Sequence, residues 1–199
     1  KAAAIIVGSK SPVIWAGGGI HSSEASNELL ALAEYLQIPV LTTNEGKGSI
    51  SDRHYLSIGT PQSRSTGNSK DSLRDFFYTC DVILAVGTRF ASADPKSFQQ
   101  VVQIDIDSQE IGRNYKNTFG ILGDARQALS KLLEAVKLIT KPKQNQKITF
   151  EKMRSDRYDN PANQVEPLAS YVQALRLGMP DDGILVTDMT DPDWEPIMK

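Results

Sequence analysis

The residues in this chain best suited to chemistry are glycines. Gly17, Gly18 and Gly19 follow the apolar stretch PVIWA and precede His21-Ser22-Ser23-Glu24 and an apolar-periodic segment. Glycines between a strand and a helix let the backbone turn tightly. They also leave amide N–H groups to face an anionic ligand, a phosphate above all. The spacing is Gly17-x-Gly19-x-x-Ser22, so the third glycine of the dinucleotide fingerprint is missing. Groups that do covalent or proton-transfer chemistry are scarce. Cys80 is the one cysteine; it precedes an apolar stretch and reads as a small core residue. His21 and His54 read as surface or capping residues, and with a single cysteine they are too few for a structural zinc site. Glu24 and Glu28 lie one helical turn apart and read as a solvated face, not an acid–base pair. No catalytic residue and no metal ligand is assigned.

The composition sets the class. The chain has 199 residues, 40% of them apolar, and a net charge of −2. That is enough for an α/β domain with a real core plus an appendage. The charge gives no argument for nucleic acid or a membrane surface as partner. No apolar run is long enough to cross a bilayer, and no secretory signal is visible, so the expected location is cytoplasmic.

The elements that would position the glycines alternate in type. Residues 12–16 read as a buried strand. Ser22 or Ser23 can cap a following helix, in which Leu29, Leu30, Leu32, Ala33 and Leu36 recur at helical spacing. Residues 39–42 and 55–59 read as strands, 60–70 as a polar surface loop, and 71–78 as a helix. Residues 81–86, DVILAV, are apolar on consecutive positions, as in a strand covered on both faces. Strands at 101–106 and 119–122 lead to a long amphipathic helix over 125–138. The pattern predicts an α/β fold with a doubly wound parallel sheet, Rossmann-like, of about six strands. Ligands on such sheets sit at the carboxyl ends of the strands. Glycine or polar clusters fall there four times, at 17–19, 43–48, 87–90 and 105–107. Residues 141–147, KPKQNQK, read as a linker. Beyond it, helices are expected over 148–158 and 167–176, and a strand over 184–187. Both ends look cut, which suggests a piece of a longer protein.

The order of these motifs resembles the central domain of thiamine-diphosphate-dependent enzymes, of the acetolactate synthase and 2-oxo-acid decarboxylase kind. The carrying segments are SPVIWAGGGIHSSEASNELLALAEYLQIPVLTTNEGKG, CDVILAVGTRF, VVQIDIDSQEIGRN and ILGDA, with LASYVQALRLGMPDDGILVTD resembling the entry to the following pyrophosphate-binding domain. The resemblance implies a central domain over 1–140 with a DHS-like nucleotide-binding fold, a linker over 141–147, and a truncated entry to the next domain over 148–199. It implies that thiamine diphosphate and magnesium belong to the full-length parent, between two other domains, and that this piece is inactive alone. The parent's catalytic glutamate and its GDG…N metal motif have no match here. Its partners would be the remaining domains and further copies of the same chain, as a dimer or tetramer.

In the family the central domain holds FAD, ADP or nothing. The matching positions here are Gly17, Gly18, Gly19, Thr43, Gly87, Arg89, Asp105, Glu110, Gly123 and Asp124. Glycine amides would meet a diphosphate, Arg89 would add charge-assisted bonds, and Asp105 would accept from a ribose or an adenine amine. The chain departs from the flavin-binding pattern at Asn44-Glu45, at Ala91-Ser92-Ala93 and at GTPQSRSTGN. Plainer readings stand beside these: the glycines as a packing turn, Arg89 as a structural pair, Asp105 and Asp107 as caps, Trp15 as a core or interdomain contact. A nicotinamide-binding domain and a non-catalytic scaffold are the alternatives. Against the first, the second strand ends in Thr42-Thr43, not in the acidic residue that would take ribose hydroxyls.

Overall fold

In a computed structural model, residues 1–61, 72–91, 93–158, 168–180 and 182–186 are described. The chain divides into two compact units, Lys1–Glu151 and Lys152–Lys199.

The first unit is built on six parallel strands: β1 (Pro12–Ala16), β2 (Val40–Thr42), β3 (Ser57–Gly59), β4 (Val82–Val86), β5 (Gln100–Asp105) and β6 (Thr118–Leu122). Their order across the sheet is β3-β2-β1-β4-β5-β6. The expected doubly wound sheet is thus present, with the chain reversing its direction of travel between β1 and β4. The central register runs Pro12 to Ala16 against Val82 to Val86. All of β4 is buried, as is β1 after Pro12, which is why their sequences show no alternation.

The helices follow the apolar periodicity. They are α1 (Ala2–Gly8), α2 (Gly19–Ser22), α3 (Ser26–Leu36), α4 (Ser72–Thr79) and α5 (Ala125–Ile139). Right-handed crossovers put α3 and α4 on opposite faces of the sheet. α5 packs on α3 and α1. On the α4 side, Trp15 meets Phe77 at 4.9 Å and Phe90 at 5.8 Å between ring centroids, both edge-on. Trp15 is therefore a core residue. So is Cys80, whose thiol burial pushes up to about 12 and so keeps protonated and unreactive.

Three expectations are corrected. Neither Ser22 nor Ser23 caps the long helix: the chain makes the short α2 first, passes Glu24 at a φ of 50°, and α3 begins after Ala25 with no side-chain cap. Glu28 is not a solvated residue, because it pairs with Arg126 of α5 at 3.1 Å and is mostly covered. Residues 183–186 form no strand; Thr187 lies outside the described residues, as do 62–70 of the expected polar loop, Asp71 of the expected helix over 71–78, and Pro167. The rest of the chain supplies α6 (Lys147–Tyr158) and, in the second unit, α7 (Leu168–Gly178).

The start of β4 is anchored by one carboxylate. Asp81 accepts hydrogen bonds from the Ser9 hydroxyl, from Lys10 N–H at 2.9 Å and from Ser11 N–H at 3.0 Å, tying β4 to the turn before β1. Burial alone would raise its pKa; the three hydrogen bonds outweigh that and hold it below the ordinary 3.8. A carboxylate depressed in this way contributes stability above its unfolded pKa, and the contribution is lost as pH falls through the lower folded value. Asp81→Asn should lower stability at pH 7 by about 1–2 kcal/mol. In urea melts, its deficit against the wild type should shrink as pH drops below 3.8.

Candidate functional site at the carboxyl ends of the strands

The tips of β1 and β4 meet backbone to backbone. Gly19 N–H donates to Gly87 O at 3.0 Å, and Gly17 N–H donates to Val86 O at 2.9 Å. A Cβ on Gly19 would stand 2.5 Å from Gly87 Cα, and one on Gly87 would stand 2.6 Å from Gly19 Cα. Gly87 also takes a φ of 58°, in the left-handed region. Two glycines are therefore required by contact with each other, before any ligand is considered.

This changes what the glycine turn can offer. The expectation was three amides open to an anion at a helix N-terminus. Two of them, Gly17 and Gly19, are used by the sheet, and the helix that follows has only four residues. Among the described residues the Gly18 N–H makes no hydrogen bond, and neither do the backbone N–H groups of Thr88 and Arg89 at the tip of β4. The Arg89 side chain is exposed and has no partner among the described residues.

The β2 tip closes over the turn. Thr43 N–H donates to Ala16 O at 2.9 Å, and the Thr43 hydroxyl accepts from Gly46 N–H at 3.0 Å. Gly46 then lies so close that a Cβ on it would stand 2.2 Å from Ala16 O. A Cβ on Gly18 would stand 3.2 Å from the Cβ of Glu45 and 3.5 Å from its backbone O, so the exposed Glu45 is packed against the glycine turn. His21 is a bridge rather than a cap: its Nε2 lies 2.8 Å from Lys47 O, tying α2 to this loop.

On the other side, Asp105 and Asp107 shape their own loop. Asp105 accepts from Asp107 N–H at 3.0 Å, and Asp107 accepts from Gln109 N–H at 2.8 Å, the turn-making use of such residues. Gly123 N–H donates to Asp105 O at 2.9 Å. Asp124 caps α5, accepting from Gln127 N–H at 3.1 Å. That bond first, and one from the Ser23 hydroxyl second, hold its carboxyl below the usual range. Glu110 pairs with Arg113 at 2.7 Å, and its second carboxylate oxygen is buried without a partner. All ten residues expected at the site thus lie along one rim. Most are occupied in holding it; the Gly18 N–H and the Arg89 side chain have no partner among the described residues.

One organising residue escaped the sequence reading. Gln103, in the middle of β5, is buried. Its side-chain amide donates to Thr88 O and Glu110 O, each at 3.2 Å, and accepts from Gly112 N–H at 2.9 Å. It locks the β4 and β5 loops together, and Asn114 adds a bond to Arg89 O at 2.7 Å. The signal was available: a glutamine inside VVQIDI needs partners if that strand is buried.

Fold and rim define a doubly wound parallel α/β domain whose candidate site lies at the switch point of its sheet. The chain belongs to the thiamine pyrophosphate enzyme central-domain family, which matches residues 1–132. It is similar to the probable acetolactate synthase large subunit of Methanocaldococcus jannaschii, 41% identical over 142 residues, which are 68% of this chain and 23% of that protein. A second such subunit, from Methanococcus aeolicus, is 39% identical over 145 residues, 70% of this chain and 24% of that one. The acetolactate synthase large subunit of Corynebacterium glutamicum is 35% identical over 143 residues, 69% of this chain and 22% of that one. The matched region thus spans about a quarter of the length of these relatives.

Two substitutions test the geometry. Gly19→Ala should cost about 3 kcal/mol or more, since backbone must move, whereas Gly8→Ala, with nothing within 4 Å, should be neutral or slightly stabilising in the same urea melts. Gln103→Leu should cost about 2–4 kcal/mol, because it leaves two carbonyls and an N–H on half-buried residues unpaired.

Proposed function

We propose that this chain is the central domain of a longer thiamine-diphosphate-dependent enzyme acting on 2-oxo acids, a carboligase or decarboxylase of the acetolactate synthase kind. The family match over residues 1–132 is the observation that carries this reading. On it, residues 1–140 form the central domain, 141–147 connect it, and 148–199 open the pyrophosphate-binding domain. Thiamine diphosphate, held with magnesium by the flanking domains, would supply the electron sink for cleaving the bond beside the 2-oxo group. This chain carries no GDG motif, and among the described residues no group of three or more His, Cys, Asp or Glu could hold a metal ion. Its part is to hold the flanking domains and, in its groove, a nucleotide. The parent is read as a cytoplasmic homo-oligomer, dimer or tetramer; no described helix is long and apolar enough to cross a membrane.

The groove suits a nucleotide diphosphate, ADP or FAD. The free amides of Gly18, Thr88 and Arg89 give three donors, and the Arg89 guanidinium adds a positive charge. β2 ends in Thr42 followed by Thr43, with no carboxylate for the ribose hydroxyls of NAD. Glu45, whose Cβ and backbone lie close to Gly18, puts a negative charge on the same turn and works against the diphosphate.

Thermal and urea denaturation of the chain with ADP, FAD and NAD tests this part. ADP or FAD at a hundredfold excess over its dissociation constant should stabilise by about 2.7 kcal/mol, with no response to NAD. A response to NAD alone, or to none of the three, contradicts it. Glu45→Gln should tighten ADP about fivefold, because a repulsion on the order of 1 kcal/mol is removed.

A further inference from the structure

The stretch that reads as a linker is held down. Between the end of α5 and the start of α6 the chain has no regular structure, yet it is bonded repeatedly to the end of α3. The Tyr35 hydroxyl donates to Thr140 O at 2.9 Å, and Lys143 N–H donates to Tyr35 O at 2.9 Å. Gln146 N–H donates to Gln37 Oε1 at 3.0 Å. The Asn145 amide lies 3.5 Å from the Tyr55 hydroxyl, and its oxygen accepts from Lys147 N–H at 2.7 Å, where α6 begins.

Gln37 is the centre of this cluster. It is 7% exposed. Its Nε2 donates to Glu34 O at 2.7 Å, and the Tyr55 hydroxyl lies 2.9 Å from Nε2 and 3.1 Å from Oε1. Its backbone has a φ of 52° at the end of α3. Glycine is the usual residue in that left-handed position, since a side chain there is strained. A glutamine that accepts the strain and then buries its amide among three partners is being used for that amide.

We propose that residues 140–147 form a strap rather than a free tether, and that Gln37, backed by Tyr55, is the positioning residue that clasps it. A flexible chain of this length would let its far end wander over roughly 15 Å. The clasp removes that freedom and fixes where α6 starts on the Lys1–Glu151 unit. The segment that follows the domain then begins from a set point, which an assembly of several domains requires. The inference stands on contacts within the first unit and does not depend on the nucleotide reading.

Amide exchange and trypsin cleavage on the whole chain test it. Gln37→Gly removes the side chain while suiting the left-handed backbone, so relief of strain offsets part of the lost hydrogen bonding and the fold persists. In that variant the Lys143 and Gln146 amides should exchange at least about tenfold faster than in the wild type. Cleavage after Lys143 and Lys147 should quicken to match, with a much smaller change at the β1 and β4 amides. Gln37→Asn, whose amide is one methylene short, should behave the same way, and Tyr55→Phe should give a smaller change in the same direction. Wild-type exchange at the rate of an unstructured peptide over 140–147 overturns the proposal. So does a Gln37→Gly variant that exchanges and is cleaved like the wild type.

Discussion

The contact between Gly19 and Gly87 is the constraint on which the rest of this domain depends. β1 and β4 are neighbours at the point where the sheet changes its direction of winding, and their chains leave in different directions. A crevice normally opens there. In this protein its floor is made by two backbones in direct touch, with Gly17 and Gly19 extending the hydrogen bonding of the sheet past the last strand residue. The loop after β2 closes on the same point through Gly46, which leaves no room for a side chain against Ala16. Glycine at these positions is a steric requirement of three loops converging on one spot.

That convergence decides what remains for a ligand. Backbone donors used by the sheet cannot also bind an anion, so a run of three glycines yields one free amide, and the tip of β4 yields two. Their placement is stiff for separate reasons. Thr43 folds the β2 loop on itself, Asp105 and Asp107 fold the β5 loop, and Gln103 bolts the β4 and β5 loops together from beneath. Arg89 and Glu45 then set opposing charges along the same rim. Donors placed this way are held in position by the loops that carry them, so little ordering is left for a ligand to impose.

Much of the architecture was legible in the sequence, because local pattern carries it. DVILAV shows no alternation since both its faces are covered, and α5 shows a clean apolar stripe since one of its faces is. The rim was legible too, as a recurrence of glycine and polar residues after strands. The roles within the rim were not. Whether Gly17 N–H meets a phosphate or Val86 O depends on a strand some seventy residues away. A like distance hides the reason for Gly87, which meets Gly19, and a shorter one that for Gly46, which meets Ala16. Ser22 and Ser23 look like caps by composition, but the turn at Glu24 moves the start of α3 past them. Residues 141–147 have the composition of a flexible linker, and nothing local reveals that Tyr35, Gln37 and Tyr55 are placed to hold them. Gln103 is the intermediate case: its burial follows from the strand pattern, its partners do not.

The central claim is that the strand tips form one groove whose free donors are the amides of Gly18, Thr88 and Arg89. It is most directly tested by following backbone amide resonances of the isotopically labelled chain during titration with ADP. The account predicts shifts concentrated at those three residues, with smaller ones at Thr43 to Glu45 and at Asp105, and the strongly bonded Gly17 and Gly19 amides moving little. Shifts confined to the amino ends of the strands, or spread evenly over the surface, would contradict it.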